Sequence, residues 1–368
     1  MINSLKEHLL LNPITLVDVG FKGGMQEKWL ALKEHLYVIG FEPNQEEYDK
    51  LNKDDPQEKI YKTALWNEKG NIDFFVTQAN RLSSCLAPNR KVLDEFPEIE
   101  RFDVLRKIVL PANTLDNVLI NSTDEGVGIT NPDFIKLDTQ GTELNILKGM
   151  NDTLNRSVFG VEIEVEFIEM YLGQPLFYKI DEFMLSKGFQ LFDLNKYYWR
   201  RECGLDFDEN MRGQIVHADA LYFRKPDIYM DILESSGIEC KARLLKAVAI
   251  ALLFGYSDYA ICLLDVAEKL NIINTRQQSI TIGHILKDAK KCADDSKEKG
   301  TIPDFAGKFL LIRIIKKLNR LFGLSFEPRN LHEQKYLKEI NRILAHKKRK
   351  HGWAQIDKRD VGNNIPHR

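Results

Sequence analysis

The sequence predicts an α/β protein: a largely parallel, Rossmann-like sheet followed by an all-helical extension. Three observations predict it. Short β-rich runs alternate with helical patterns over the first 225 residues, the first strand runs into a glycine-rich turn, and strand patterns stop around 224–227. Alternation of strand and helix places helices on both faces of a parallel sheet. The strands are read at 14–19, 37–41, 59–64, 71–77, 133–138 and 157–167, with a closing pair at 188–194 and 217–223. Helices are read at 25–35, 45–52, 142–148, where Gly149 suits a helix stop, and 176–187, ended by Gly188. Beyond the change of pattern, 241–254 and 258–270 carry apolar stripes and form a helical hairpin. At 368 residues, and roughly 150 residues per domain, two domains are expected: a sheet domain over 1–226 and a helical one over 227–368.

Composition narrows the function. A hydrophobic fraction of 43% suits a chain that buries a core, and a net charge of -2 gives no global pull toward nucleic acid, so no nucleic-acid partner is expected. Residues 1–12 lack the basic and apolar regions of a secretory signal, and no apolar run approaches the ~20 residues that span a bilayer. The five cysteines are scattered without a CxxC pair, which reads as reduced thiols rather than a disulfide framework or a zinc site. A cytoplasmic location is the expectation.

The strongest local signal is VDVGFKGG, residues 17–24. The strand ends in Asp18, and Gly20, Gly23 and Gly24 let the turn approach a ligand closely and adopt positive φ. Asp18 stands where the GxGxxG fingerprint of nicotinamide enzymes has its first glycine, so a pyrophosphate would be repelled. A cofactor with an amino-acid end and a sulfonium centre would tolerate that carboxylate. Glu42, in GFEPN, ends the second strand 24 positions after Asp18, the place from which an acid accepts hydrogen bonds from ribose hydroxyls. Each feature alone reads as a loop glycine or a surface acid; together, in this order, they fit an adenosine ligand across adjacent strand ends.

The third block is DFIKLDTQGTELNILKGM, 133–150. Asp138 closes a strand, and Gln140 and Gly141 precede a helix that contains Glu143. With Lys136, Leu137, Leu147 and Gly149, these residues make the chain resemble the FkbM family of methyltransferases. The resemblance runs over about 14–224 and includes GFEPN, TALW at 63–66, Ser83 and Ser84, TLD at 114–116 and DALYF from Asp219. It implies a class I methyltransferase fold, S-adenosylmethionine as cofactor, and O-methylation of a hydroxyl on a sugar, glycan or secondary metabolite. It places Asp18, Gly20, Gly23 and Gly24 at the methionine part, Glu42 at the ribose, Ala64 and Leu65 near the adenine, and Asp138 beside the reacting centre. Many members carry Glu where Gln140 stands.

A hydroxyl acceptor needs a base, and the candidates are Asp138, the alternating Glu162, Glu164 and Glu166, and His217. With Asp138, Glu164 is preferred as catalytic, because the family places an acid near the end of that strand. His217 reads first as a packed strand histidine. Asp138, Gln140 and Glu143 are not expected to aim at one point, and Glu143 suits a helix N-terminus, so no metal is expected. The aromatic run KYYWRR at 196–201 suits either sugar stacking or an exposed strand edge.

Segment 305–326 carries Lys308, Arg313, Lys316, Lys317 and Arg320 beside an apolar stripe, and 346–351 is HKKRKH. Packed into a core, the first is an ordinary domain helix. Left free, both would hold an anionic membrane or a lipid-linked acceptor at its inner face. The alternative to an enzyme is a catalytically inactive nucleotide-binding scaffold that recruits a partner through its helical part. The sequence leaves the oligomeric state open.

Overall fold

The computed structural model describes residues 9, 11–30, 32–51, 55–122, 131–201 and 212–270. Strand β1 (Ile14–Val19) is buried along its whole length, as a strand covered on both faces must be. Instead of one helix over 25–35, the chain makes a short α1 (Glu27–Leu30) and a 3-10 turn, Lys33–His35. The 3-10 form rises about 2.0 Å per residue against 1.5 Å, and so returns the chain to the next strand in fewer residues. After β2 (Leu36–Phe41) comes α2 (Gln45–Tyr48), capped by the Asn44 side chain, which accepts from the Glu46 N–H.

The stretch read as one strand over 59–64 is two. β3 (Glu58–Tyr61) pairs with β2, and the chain then leaves the main sheet so that β4 (Ala64–Leu65) joins a small second one. That sheet, in the order β4-β6-β5, also holds β5 (Gly70–Thr77) and, beyond α3 (Arg90–Leu93), β6 (Val104–Asn113). β6 is not read from the sequence: Arg106, Lys107 and Pro111 break its apolar alternation, and most of it is exposed. The main path continues through α4 (Leu115–Ser122), β7 (Phe134–Leu137), α5 (Glu143–Lys148), α6 (Asn151–Arg156) and β8 (Gly160–Glu166). It closes with α7 (Phe177–Ser186) and the long pair β9 (Phe189–Trp199) and β10 (Gln214–Arg224).

The main sheet has seven strands in the order β3-β2-β1-β7-β8-β10-β9. β1, β2, β3, β7 and β8 run parallel, and β10 is antiparallel to both neighbours. This is the class I methyltransferase arrangement. The connections reverse direction between β1 and β7, and at such a switch point a crevice opens at the carboxyl ends of the strands.

Two apolar layers cover the sheet. On one face, Val17, Ile135, Val161 and Ile163 pack with Leu119, Ile146, Leu154 and Met184 of α4–α7. On the other, Leu16, Phe134, Phe159 and Phe223 pack with Trp29 and with the helices after residue 226: α8 (Pro226–Ser235), α9 (Cys240–Leu253) and α10 (Ser257–Lys269). Residue 226 therefore marks a change from strand to helix, while the described helices beyond it share the sheet's own core. Asp133, buried at the start of β7, accepts from the Thr15 N–H at 2.8 Å and from Lys246 of α9 at 3.0 Å, which ties that layer to the sheet. Among the described residues, no helix is long and apolar enough to cross a membrane. The expected extension beyond residue 270, with both basic segments, lies outside the described residues.

Gly149 does end α5, but for another reason than a left-handed cap. Its φ is -79°, and a Cβ there would lie 2.0 Å from the Trp66 carbonyl oxygen. Gly149→Ala should cost about 1–3 kcal/mol by forcing this contact apart. Gly70→Ala, with nothing within 4 Å of the new methyl, should change stability little. Urea midpoints of the two variants check this, and equal midpoints would remove the close approach.

Candidate active site

The switch point is held open by charge and by glycine. Asp18, the fifth residue of β1, is buried, and Lys136 on β7 lies directly opposite, with its Nζ 3.3 Å from the Asp18 carboxylate and 3.5 Å from Asp138. Burial pushes the Asp18 carboxyl up to about 6 even though Lys136 draws it down. Burial also works against the Lys136 charge, but Asp18 and Asp138 outweigh it and hold the ammonium protonated. On the far side Lys136 stands opposite Glu162 of β8, which pairs with Lys28 of α1. One cross-strand row thus alternates in sign: Asp18, Lys136, Glu162, with Lys28 closing it.

Above that row the chain turns. Gly20 has φ +85°, its N–H donates to the Phe41 carbonyl, and a Cβ would lie 2.2 Å from the Asp138 carbonyl oxygen. No other residue fits between the ends of β1 and β7. Gly23 and Gly24 also have positive φ but face open space, so their need is conformational alone. At the end of β2 the Glu42 carboxylate accepts from the Asn44 N–H at 2.8 Å through Oε1, which fixes its head and leaves Oε2 for a ligand. Burial pushes Glu42 up to about 7, against the pull of that N–H.

These groups line one cavity of ≈ 290 Å³, close to the ~300–1,000 Å³ of small-molecule sites. Of the residues predicted from the sequence, Asp18, Gly20, Gly24, Glu42, Ala64, Leu65 and Asp138 line it. Gly23 belongs to the same turn but not to the lining, and Glu164 lies one hydrogen bond outside it. The link is Gln140, which does line the cavity: its Nε2 donates to Asp138 and to Glu164, and its Oε1 accepts from the Tyr171 hydroxyl at 3.0 Å. Gln140 sits at φ +60°, and the Ser84 hydroxyl secures that backbone by donating to its carbonyl at 2.7 Å.

Sequence reasoning assigned no role to most of the remaining lining residues. Asn44, Glu47 and Asn80 form a hydrogen-bonded floor, and Phe74, Ser83, Cys85 and Ile146 complete the wall. Asn44 and Ser83 were visible only as parts of GFEPN and of the Ser83 and Ser84 pair, and the others lie on separate elements and share no local pattern.

Beyond Asp138 the charges are no longer paired. Glu164 faces Asp219 across β8 and β10, with His217 Nδ1 at 3.3 Å. Burial, and then the Asp138 and Glu166 charges, raise Glu164 well above the usual carboxylate range. Glu166 is raised likewise, by burial and then by Glu143 and Asp138, with the Gln174 amide offsetting only part. Glu143 accepts from the Thr139 N–H and hydroxyl and the Gly141 N–H, so it does organise the start of α5, and burial lifts it to about 7. The groups that converge are Glu143, Glu164 and Glu166, with one oxygen of each within 4.8 Å of the others. Burial lowers the His217 pKa. Tyr197 stacks on His217, with ring centroids 4.5 Å apart, and its hydroxyl donates to Asp219 at 3.1 Å.

Comparison with known proteins finds one family model and several solved structures to which the chain is similar. The sequence model of the methyltransferase FkbM domain matches residues 25–191. A methyltransferase FkbM from Methylobacillus flagellatus KT is 15% identical over 58% of this chain and 44% of its own, with a TM-score of 0.32, so the chain covers less than half of that protein. Magnesium protoporphyrin IX methyltransferase (ChlM) from Synechocystis PCC 6803, solved with bound SAM, is 10% identical over 61% of this chain and 78% of its own, at a TM-score of 0.28. A SAM-dependent methyltransferase from Agrobacterium tumefaciens is 11% identical over 61% of each chain, at 0.30. No curated protein matches.

The raised acids set a pH dependence. Asp18, Glu42 and Glu143 titrate higher in the folded chain than in the unfolded one, so the folded state holds more protons between about pH 4 and 7. Their contribution to stability is fully present below the unfolded values and is lost as pH rises through about 6–7. Glu42→Gln should therefore stabilise the protein at pH ~8 by roughly 1–3 kcal/mol, at about 1.4 kcal/mol per unit. At pH ~4 it should match wild type. Urea unfolding at both values checks this, and a pH-independent difference would exclude Glu42 as the source.

Proposed function

Because the model of the methyltransferase FkbM domain matches residues 25–191, we propose that this protein is an S-adenosylmethionine-dependent methyltransferase that methylates a hydroxyl oxygen of a sugar, glycan or secondary-metabolite acceptor. One observation carries the reading: a single cavity has a buried carboxylate suited to ribose hydroxyls at one end and Asp138, linked to a set of raised acids, at the other.

The residues fit the cofactor. Asp18, Gly20 and Gly24 present a carboxylate and backbone to its amino-acid part, and the Gly20 position admits no side chain between ligand turn and Asp138. Glu42 takes the ribose, while Ala64, Leu65 and Phe74 give an apolar seat for the adenine. Bound there, S-adenosylmethionine supplies an electrophilic methyl on cationic sulfur. Asp138 and Gln140 orient the acceptor, and orientation alone is worth roughly 7–11 kcal/mol in well-aligned systems. Glu164, which burial and then the Asp138 charge raise well above the usual carboxylate range, takes the hydroxyl proton. The acceptor oxygen bonds to the methyl carbon as the carbon–sulfur bond breaks, and the electron pair stays on sulfur.

The basic segments 305–326 and 346–351 we assign to contact with an anionic membrane surface or a lipid-linked acceptor. Each basic residue contributes about 1 kcal/mol near such a surface, so flotation with anionic vesicles should occur at low salt and fail at high salt. Absence of flotation at low salt would sink the membrane contact.

Glu42→Ala should weaken S-adenosylhomocysteine binding by about 1.5–3 kcal/mol per charged hydrogen bond lost, read by calorimetry. Unchanged affinity in a folded variant would remove Glu42 from the site. With a labelled methyl donor and a panel of hydroxylated glycans, the label should survive mild base as an ether, and Asp138→Asn should lose turnover far more than stability. A base-labile ester label would overturn hydroxyl methylation.

A further inference from the structure

Three carboxylates stand together on the side of the cavity that the cofactor reading leaves to the acceptor. Glu143 opens α5, Glu164 and Glu166 alternate onto one face of β8, and one oxygen from each lies within 4.8 Å of the other two. Acidic groups cluster on many surfaces without consequence, but this set is interior. Glu166 is 0% exposed, with both oxygens shut away from water and neither in a hydrogen bond of good geometry; the Gln174 amide beside it is neutral and offsets only part of the burial. That is an expensive state for a carboxylate unless something positive stands beside it.

The described residues supply no such charge. Among the described residues, no Lys or Arg nitrogen lies within 4.0 Å of these three groups; Lys136 is taken by Asp18 and Asp138, and Lys28 by Glu162. Glu143 receives three donors, all on Oε1, so none falls on Oε2. Glu164 gives one oxygen to Gln140, and its other lies 3.3 Å from Nδ1 of His217. Glu164 is the member with solvent access, at 12% side-chain exposure, and offers the route inward.

We propose that Glu143, Glu164 and Glu166 bind one hard divalent cation of the Mg²⁺ or Mn²⁺ class, with His217 as the adjacent nitrogen donor. Carboxylate oxygens are the ligands such ions take, and an ion of charge +2 answers the unpaired oxygens of Glu166. Its remaining positions would be open to acceptor oxygens; that use rests on the methyl-transfer reading, whereas the binding itself does not.

The full chain, stripped with a chelator, is titrated with Mn²⁺ and followed by the resonance signal of free Mn²⁺ and by melting temperature. Wild type should hold one Mn²⁺ per chain, displaced by Mg²⁺, and melt higher with it. Glu166→Gln should bind at least about tenfold more weakly, since even loss of an outer-shell partner costs about 10–100-fold, and should show no metal-induced rise in melting temperature. The substitution keeps the shape and removes a buried charge, so the variant should melt no lower than stripped wild type; Glu164→Gln provides the same comparison at the accessible member. Asp73→Asn, in an exposed pair with Lys107, should bind as wild type does. Wild type that holds no more Mn²⁺ than Glu166→Gln would overturn the proposal and leave the three acids sharing protons. Binding of S-adenosylhomocysteine in the same samples reports separately on the cofactor site.

Discussion

The ion pair between Asp18 and Lys136 is the constraint on which the site depends. Taking two charges out of water costs several kcal/mol each, and the attraction between them offsets this only in good geometry. Here the sheet provides it: β1, β7 and β8 lie in register so that Asp18, Lys136 and Glu162 are direct neighbours with alternating sign. A slip of one residue would turn all three to the opposite face, among Val17, Val19, Ile135 and Leu137. The apolar residues between the charges therefore fix the register that makes burial of the charges tolerable. The same pair keeps β1 and β7 together where their connections diverge, and the crevice opens beyond it.

One step further along the strands the pairing stops. Asp138 still shares Lys136, but around Glu164, Asp219, Glu166 and Glu143 stand the Gln140, Gln174 and Asn195 amides, the Tyr197 hydroxyl, the loop 139–141 and His217, and no lysine or arginine among the described residues. Stability favours charge compensation, and the sheet supplies it up to the crevice and then withholds it. The acids that result are raised by burial and by one another, the condition under which a carboxylate becomes a useful base or a cation ligand. Gln140 joins the two regions, since one amide reaches both Asp138, which lines the cavity, and Glu164 beyond it.

The helices after residue 226 shape this division. They cover the half of the sheet face that carries Phe134, Phe159 and Phe223, and Lys246 anchors them to Asp133 at the amino end of β7. The other half of the same face carries Glu162, Glu164 and Glu166 and is left for polar chemistry. Phe254, at the end of α9, lies where the two halves meet: it stacks on Phe134, and Lys28 sits over its ring before reaching Glu162.

The parts of this protein that the sequence determined by itself are those in which a residue's neighbours along the chain decide its conformation. The β1 run, the glycine turn with Asp18 before it, Glu42 at the end of β2 and Asp138 at the end of β7 were all legible, because a strand end and a tight turn are local objects. Tertiary structure alone decided the rest. It separated β3 from β4, since the exit from one sheet into another is set by which partner strand is free. It made Gly149 necessary through a carbonyl 83 positions earlier in the chain rather than through its own φ. It also assembled Glu143 with Glu164 and Glu166, which the sequence offered only separately, Glu143 as an acid at a helix start and the other two as acids on one strand face. Alternation along β8 says which acids share a face, but only the register of adjacent strands and the helix laid over them says what that face meets.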